Sequence, residues 1–91
     1  MAQPHLENED DIDDRLAWEA TEAFLAAHPA HAMTIKACSW MGSGDGVDYF
    51  KHRLSRRNVT FDRRTLEVGG YLDTGEESDD ADMVLRHLPV V

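Results

Sequence analysis

Several features that identify common protein classes are scarce or missing in this 91-residue chain. It has one cysteine, so no disulfide can form within the chain, which fits a reducing compartment. No apolar run approaches the 18 residues or more of a membrane-spanning helix, so no membrane contact is expected. The first 14 residues, MAQPHLENEDDIDD, lack the cationic and apolar segments of a targeting peptide. We therefore expect a cytoplasmic protein.

Motifs of catalysis, phosphate binding and metal binding are also missing. Ser43 does not lie in a GxSxG motif, and no nucleophile motif surrounds Cys38. The glycine-rich segment 42–46 lacks the lysine and hydroxyl residue of a phosphate loop and is interpreted as a turn. His28, His31 and Cys38 do not have the spacing of zinc ligands. The chain is predicted to be a non-enzyme with no metal and no cofactor.

Large apolar residues are sufficient for one compact core but leave few for a deep ligand cavity as well. We predict a tail over residues 1–9 and a single domain over residues 10–91. Self-association would supplement so small a core, so a homodimer is among the expected assemblies.

Charge is unevenly distributed along the chain. Residues 1–35 carry a net charge of −7, residues 36–70 of +3 and residues 71–91 of −5, which gives −9 in all. This excess of carboxylates opposes general attraction to nucleic acids and favours a basic protein partner.

The acidic N-terminal part predicts a helix that begins at Asp10 or Asp11 and runs to Ala27. His28-Pro29 ends it, because the residue before proline avoids the helical region. Apolar side chains at helical spacing form its predicted buried stripe: Ile12, Leu16, Ala20, Ala23, Phe24 and Ala27. Trp18 and Leu25 lie off that stripe. They either pack against further elements of the domain or form an exposed patch for a partner.

The remaining sequence predicts an antiparallel sheet followed by a second helix. Met33–Met41 alternates as a strand does, and residues 59–62 and 66–72 suit a hairpin around Arg63-Arg64. Residues 47–57 are ambiguous: Asp45 can cap a helix with Val47, Phe50 and Leu54 inward, or a hairpin at 42–46 can lead into a strand. We favour the helix. A last helix, capped near residues 74–78, ends at Leu88 before Pro89. The predicted class is α+β, with an N-terminal helix, a three- or four-stranded antiparallel sheet and a C-terminal helix.

Arginine clusters in the middle of the chain are the most concrete alternative binding feature. They could contact a nucleic-acid backbone, or they could be neutralised by acidic groups of the same chain or a second copy. The six basic residues of this predicted patch are Lys51, Arg53, Arg56, Arg57, Arg63 and Arg64.

The favoured hypothesis is a small, acidic interaction protein that acts as an inhibitor or adaptor, as some phage or mobile-element proteins do. Its partner would be a protein that is basic or itself binds nucleic acid, since rows of carboxylates can imitate a phosphate backbone. Small acidic chaperones of secreted proteins have a similar character. The alternative is a nucleic-acid-binding module that uses the arginine cluster. The predicted partner-binding residues are Trp18, Glu19, Glu22, Leu25, Asp79, Asp80 and Asp82.

Overall fold

The computed structural model of the chain describes residues 9–72 and 74–89, with side chains from residue 14 onward. Residues 1–8 of the predicted tail lie outside this range, and Glu9 already belongs to the first helix. In chain order the elements are α1 (Glu9–Ala27), a 3₁₀ turn (Pro29–His31), α2 (Ala32–Lys36), β1 (Cys38–Gly44), β2 (Val47–His52), β3 (Asn58–Asp62), β4 (Val68–Tyr71), β5 (Glu77–Ser78) and α3 (Ala81–Arg86).

The predicted α+β class is confirmed, and the sheet has five strands among the described residues where three or four were predicted. Every strand pairs with its neighbour in the chain, so the sheet is an antiparallel meander in the order β1-β2-β3-β4-β5. The additional strand is β5, which has two residues. So short a segment carries no alternation that a sequence pattern could reveal.

The helix favoured for residues 47–57 is wrong, and the alternative hairpin interpretation is correct. Gly44 pairs with Val47, which leaves Asp45 and Gly46 as a two-residue loop with φ of 54° and 80°. Positive φ at both central residues defines a type I′ turn, the turn that matches strand twist and that Asp-Gly favours. The hairpin therefore continues directly into β2.

The strand predicted for Met33–Met41 is half correct. Residues 32–36 form the short helix α2, and the strand begins only at Cys38. Thr34 and Ile35 are adjacent and both buried, which a half-buried strand does not allow but a helical turn does. Within β1 the register shifts between Trp40 and Gly42, so Met41 is the extra residue of a β-bulge.

All the helices that contact the core lie on one face of the sheet, here called the inner face. Phe50, Val59, Phe61 and Val68 project from it into the core cluster. Phe24 of α1 stacks on Phe61 with ring centroids 4.6 Å apart and planes 3° apart. Stacked aromatic pairs add about 0.5–1.5 kcal/mol to the burial of their area. This contact fixes α1 across the middle of the sheet.

Helix α3 packs on β4, where glycine permits a close approach. A Cβ atom at Gly70 would lie 2.7 Å from Cγ1 of Val84. Val84, Leu85 and Leu88 are buried, as the predicted stripe of this helix requires. The helix begins one residue after Asp80, whose carboxylate accepts from the backbone N–H groups of Asp82 and Met83. The cap therefore lies later in the chain than the predicted range of residues 74–78.

Leu16 and Leu54, predicted to be buried, are exposed, and so is Leu66 at the start of the second predicted strand of the hairpin. Leu16 lies at the border of the α1 stripe, while Leu54 and Leu66 lie in the turns that follow β2 and β3. Residues in turns face solvent whatever their spacing in the sequence. The predicted strands or helix extended over Leu54 and Leu66, and this is why their positions were predicted incorrectly. None of the helices described is long and apolar enough to cross a membrane.

Candidate functional site

The outward side of α1 presents a tryptophan surrounded by carboxylates. Trp18 is 67% exposed, and Asp14, Glu19 and Glu22 are exposed beside it. Asp14 and Glu22 lie one helical turn before and after Trp18, so all three share one side of the helix. Ala20, on the opposite side, is fully buried. We call Asp14, Trp18, Glu19 and Glu22 the α1 surface.

Leu25 does not contribute to the α1 surface in the way that Trp18 does. It is half-buried and packs against the core cluster, together with Ala23 and Ala27. Trp18 and Leu25 are seven residues apart and point in nearly the same direction around the helix. The core therefore extends under the C-terminal part of α1, where Leu25 lies, and leaves Trp18 exposed.

The predicted acidic residues of the C-terminal region have separate roles. Asp80 caps α3, as described above. Asp82 lies 3.4 Å from the His31 ring and 3.4 Å from Arg86. Asp79 borders the sheet face opposite the helices, here called the outer face. These three residues therefore differ in their structural surroundings.

Arg53 of the predicted basic patch stabilises the end of α2. Its guanidinium donates to the carbonyl oxygens of Lys36 at 2.5 Å and Ala37 at 3.2 Å, and its backbone N–H also donates to Ala37. Cations are favourable at a helix C-terminus, where carbonyl groups lack helical partners. Arg53 is therefore committed to the fold.

Arg63 forms an ion pair with a buried carboxylate. Its Nε and a terminal nitrogen donate to Asp48 at 2.6 and 3.1 Å, and Asp48 is 1% exposed. Ser43 donates its hydroxyl to the same carboxylate at 2.5 Å and accepts from the Trp40 indole at 2.9 Å. The hydrogen bonds to Asp48 raise the pKa of Arg63, and Glu19 of α1 adds a smaller electrostatic contribution. This network joins the first and third hairpin turns.

Arg64 pairs with Asp62 in the turn between β3 and β4. The side-chain hydrogen bonds from Arg64 are the main reason that the pKa of Asp62 lies below its usual range. Asp62 also accepts from the backbone N–H groups of Arg64 and Thr65. Arg53, Arg63 and Arg64 thus have partners within the central part of the chain.

The other three basic residues do not form one patch with them. Arg56 is exposed in the turn after β2 with φ of 65°, and Arg57 follows it. Lys51 lies on the outer face, opposite Asn58 in the register. Lys51, Arg53, Arg56 and Arg57 thus lie at or beside the turn after β2, whereas Arg63 and Arg64 lie in the turn after β3, at the opposite end of the sheet.

Sequence reasoning missed a depression on the outer face. It crosses the strands and has a volume of about 790 Å³. Thr60 and Gly69, which pair across β3 and β4, form its low floor. Tyr49, Tyr71 and Met41 rise beside the floor and are all exposed, and Asp79 lies at one end. A second depression of about 250 Å³ adjoins it over the same two floor residues. We call this feature the sheet trough.

The available sequence signal for the trough was weak. Tyr49 lies in β2 and Tyr71 in the glycine-containing strand β4, but the face that each side chain occupies depends on the strand register. Once residues 47–52 are known to be a strand, alternation places Asp48, Phe50 and His52 inward and Tyr49 outward.

Two buried side chains of types often used in catalysis, His52 and Cys38, make contacts within the fold. The Ser55 backbone N–H donates to Nδ1 of His52 at 3.0 Å, so Nε2 carries the proton and donates to the Pro89 carbonyl at 2.7 Å. This buried ring fastens the C-terminal end to β2. Burial raises the pKa of the Cys38 thiol to about 11, which opposes formation of a thiolate near neutral pH.

The three residues without zinc-ligand spacing, His28, His31 and Cys38, contact different parts of the chain. His28 donates to the Leu66 carbonyl, His31 faces Asp82, and the Cys38 thiol donates to the Thr34 carbonyl. Among the side chains that the structure describes, no group of three or more histidine, cysteine or acidic residues could hold a metal ion.

No protein-family model, curated protein or solved structure matches this chain.

Proposed function

We propose that this protein is a non-enzymatic interaction module that binds a basic protein partner through the α1 surface. The observation that carries the proposal is Trp18, a large aromatic side chain that is 67% exposed between carboxylates one turn away on either side. Tryptophan is highly buried on average in folded proteins, and it is enriched among the residues that dominate binding energy.

The charge of the α1 surface indicates the kind of partner that it can bind. Asp14, Glu19 and Glu22 carry three negative charges around Trp18, against one positive charge on Arg15 of the same helix, and the chain as a whole carries −9. Such a surface attracts basic proteins at long range and repels phosphate groups. An inhibitor or adaptor that acts on a basic, nucleic-acid-binding protein is consistent with this surface. The nucleic-acid-binding alternative is less well supported, because Arg53, Arg63 and Arg64 have partners within the fold.

The test compares the partners recovered with the intact protein and with Trp18→Ala. Tagged protein is purified from its native cells with nuclease treatment, and bound proteins are identified by mass spectrometry. Met33→Ala is the matched control, because Met33 is 64% exposed on α2 and lies outside the α1 surface. We expect a basic protein to be retained by the intact protein and by Met33→Ala and to be lost from Trp18→Ala.

Folding must be monitored in parallel. Trp18→Ala should change the free energy of unfolding by no more than about 0.5 kcal/mol, as substitutions at exposed positions do. Truncation of a tryptophan at the centre of an interface commonly costs about 2 kcal/mol or more of binding energy. If Trp18→Ala retains the same partners as the intact protein, the α1 surface is not the binding surface. Recovery of nucleic acid that disappears on nuclease treatment would favour the alternative function.

A further inference from the structure

The sheet trough has its low floor because two small residues face each other across β3 and β4. A Cβ atom at Gly69 would lie 2.7 Å from the Thr60 hydroxyl, so that hydroxyl occupies the space above the glycine. Gly70 differs, because a Cβ there would meet Val84 of α3 on the inner face. Packing of α3 therefore explains why residue 70 is a glycine. It does not explain the glycine at position 69, because a side chain there would lie on the outer face.

The sides of the trough are apolar and its edges are acidic. Tyr49 is 47% exposed and Tyr71 39% exposed, and Met41 stands at the β1 end. Glu77 accepts a hydrogen bond from the Tyr71 hydroxyl at 3.2 Å. Four carboxylates border the two depressions, and Arg64 pairs with the first of them: Asp62, Glu67, Glu77 and Asp79. The three others exceed the single charge of Lys51, which also lies on this face.

This combination suits a side chain with an aliphatic stem and a cationic end. Arginine and lysine bury their methylene groups against apolar surface while the charged group remains near carboxylates or tyrosine rings. A phosphate group would meet like charge at Glu77 and Asp79, which disfavours a nucleic acid even though tyrosines can stack on bases.

The dimensions suit an extended peptide. The trough crosses from Met41 on β1 to Asp79 beyond β5, which is four strand spacings or about 19 Å. At about 3.3 Å per residue, five or six extended residues fill that length. We infer that the sheet trough binds an extended segment of another protein in which arginine or lysine alternates with aliphatic residues. This surface is distinct from the α1 surface, and the inference does not depend on the proposed function.

The test is an NMR titration of the full ¹⁵N-labelled chain with a capped nonapeptide in which arginine alternates with valine. We expect saturable shifts of the Tyr49, Thr60 and Gly69 amides. The Trp18 indole N–H reports separately on the α1 surface, so the two surfaces are distinguished in one experiment. A matched peptide with glutamate in place of arginine should cause no saturable shift.

Two variants assign the binding to the trough. Tyr49→Ala combined with Tyr71→Ala should weaken binding at least tenfold, and Glu77→Gln combined with Asp79→Asn should do so with both aromatic rings retained. Leu54→Ala removes an exposed apolar side chain in the turn after β2 and should bind as the intact protein does. Retained amide dispersion shows that each variant is folded.

Four results would overturn the inference. The first is that shifts centre on the Trp18 indole and leave Thr60 and Gly69 unchanged. The second is that the acidic peptide or a dodecamer of deoxythymidine binds the trough as well as the basic peptide does. The third is that the chemical shifts of the trough amides change with protein concentration in the absence of peptide, which would make a second copy of the chain the occupant. The fourth is that deletion of residues 1–8 shifts the same amides without added peptide, which would make this chain's own N-terminal segment the occupant.

Discussion

At the scale of single residues, the buried carboxylate of Asp48 is the most demanding group in the structure. A charge taken out of water is costly unless it is paired and hydrogen-bonded, and here Arg63 and Ser43 satisfy both requirements. Arg63 is about one-third exposed, whereas Asp48 is almost fully enclosed. Removal of Arg63 would therefore leave a buried charge without its ionic partner, whereas removal of Asp48 would leave a guanidinium that water can reach.

Arg63→Ala should destabilise the protein by about 2–4 kcal/mol, because it leaves the Asp48 carboxylate buried with one hydroxyl donor. Urea unfolding monitored by circular dichroism would measure the change. Arg64→Ala is the matched control, since the neighbouring arginine pairs with Asp62 on the outer face and its loss should have a much smaller effect. Equal losses in the two variants would mean that the buried pair contributes no more than the exposed one.

At the scale of secondary-structure elements, sequence patterns predicted α1, the hairpin of β3 and β4, and the stripe of α3. They failed where polar residues are buried. Asp48, Phe50 and His52 all face inward from β2. Because Asp48 and His52 are polar, the sequence does not show the alternation of apolar and polar residues that indicates a strand. The spacing of the apolar residues instead matches one face of a helix, formed by Val47, Phe50 and Leu54. The Asp-Gly pair at 45–46 carried the correct signal for a hairpin and was outweighed by the capping potential of Asp45.

The site was only partly predictable for a related reason. The position of Trp18 off the buried stripe of α1 left its exposure open, because Leu25 has the same position and packs against the core. The sheet trough depends on a register that joins Tyr49, Thr60 and Gly69 across three strands, and no local pattern specifies such a register. The arginine cluster was visible in the sequence, but its division among Asp48, Asp62 and the end of α2 required tertiary structure.

The start of α3 provides a prediction at this scale. Asp80→Ala should cost about 1 kcal/mol of stability, because it removes the side-chain acceptor for the N–H groups of Asp82 and Met83. Thermal unfolding would measure the loss. Asp79→Ala removes the same charge one residue earlier, where no cap is present, and should stay within about 0.5 kcal/mol of the intact protein. If Asp79→Ala proves equally damaging, general electrostatics rather than capping stabilises this helix.

At the scale of the whole molecule, the two proposed surfaces lie on opposite sides of one core. The α1 surface faces outward from the helical layer, while the sheet trough occupies the outer face of the sheet. If both proposals hold, two partners can bind at once without competing for space, as an adaptor requires. Both surfaces are acidic, so both select basic partners.

The overall charge leads to the last prediction: affinity for generic duplex DNA or single-stranded RNA should be weaker than about 10 µM near 150 mM salt. A phosphate backbone meets net repulsion from a chain of charge −9, and three of the central arginines already have partners in the fold. The measurement is a titration of labelled oligonucleotides across a series of salt concentrations. Arg56→Asn combined with Arg57→Gln is the informative variant, because it removes two charges from the turn after β2. Asparagine also tolerates the left-handed backbone at position 56. Submicromolar binding with a steep salt dependence that this variant abolishes would show that the turn after β2 binds nucleic acid, and the nucleic-acid-binding module would then become the leading hypothesis.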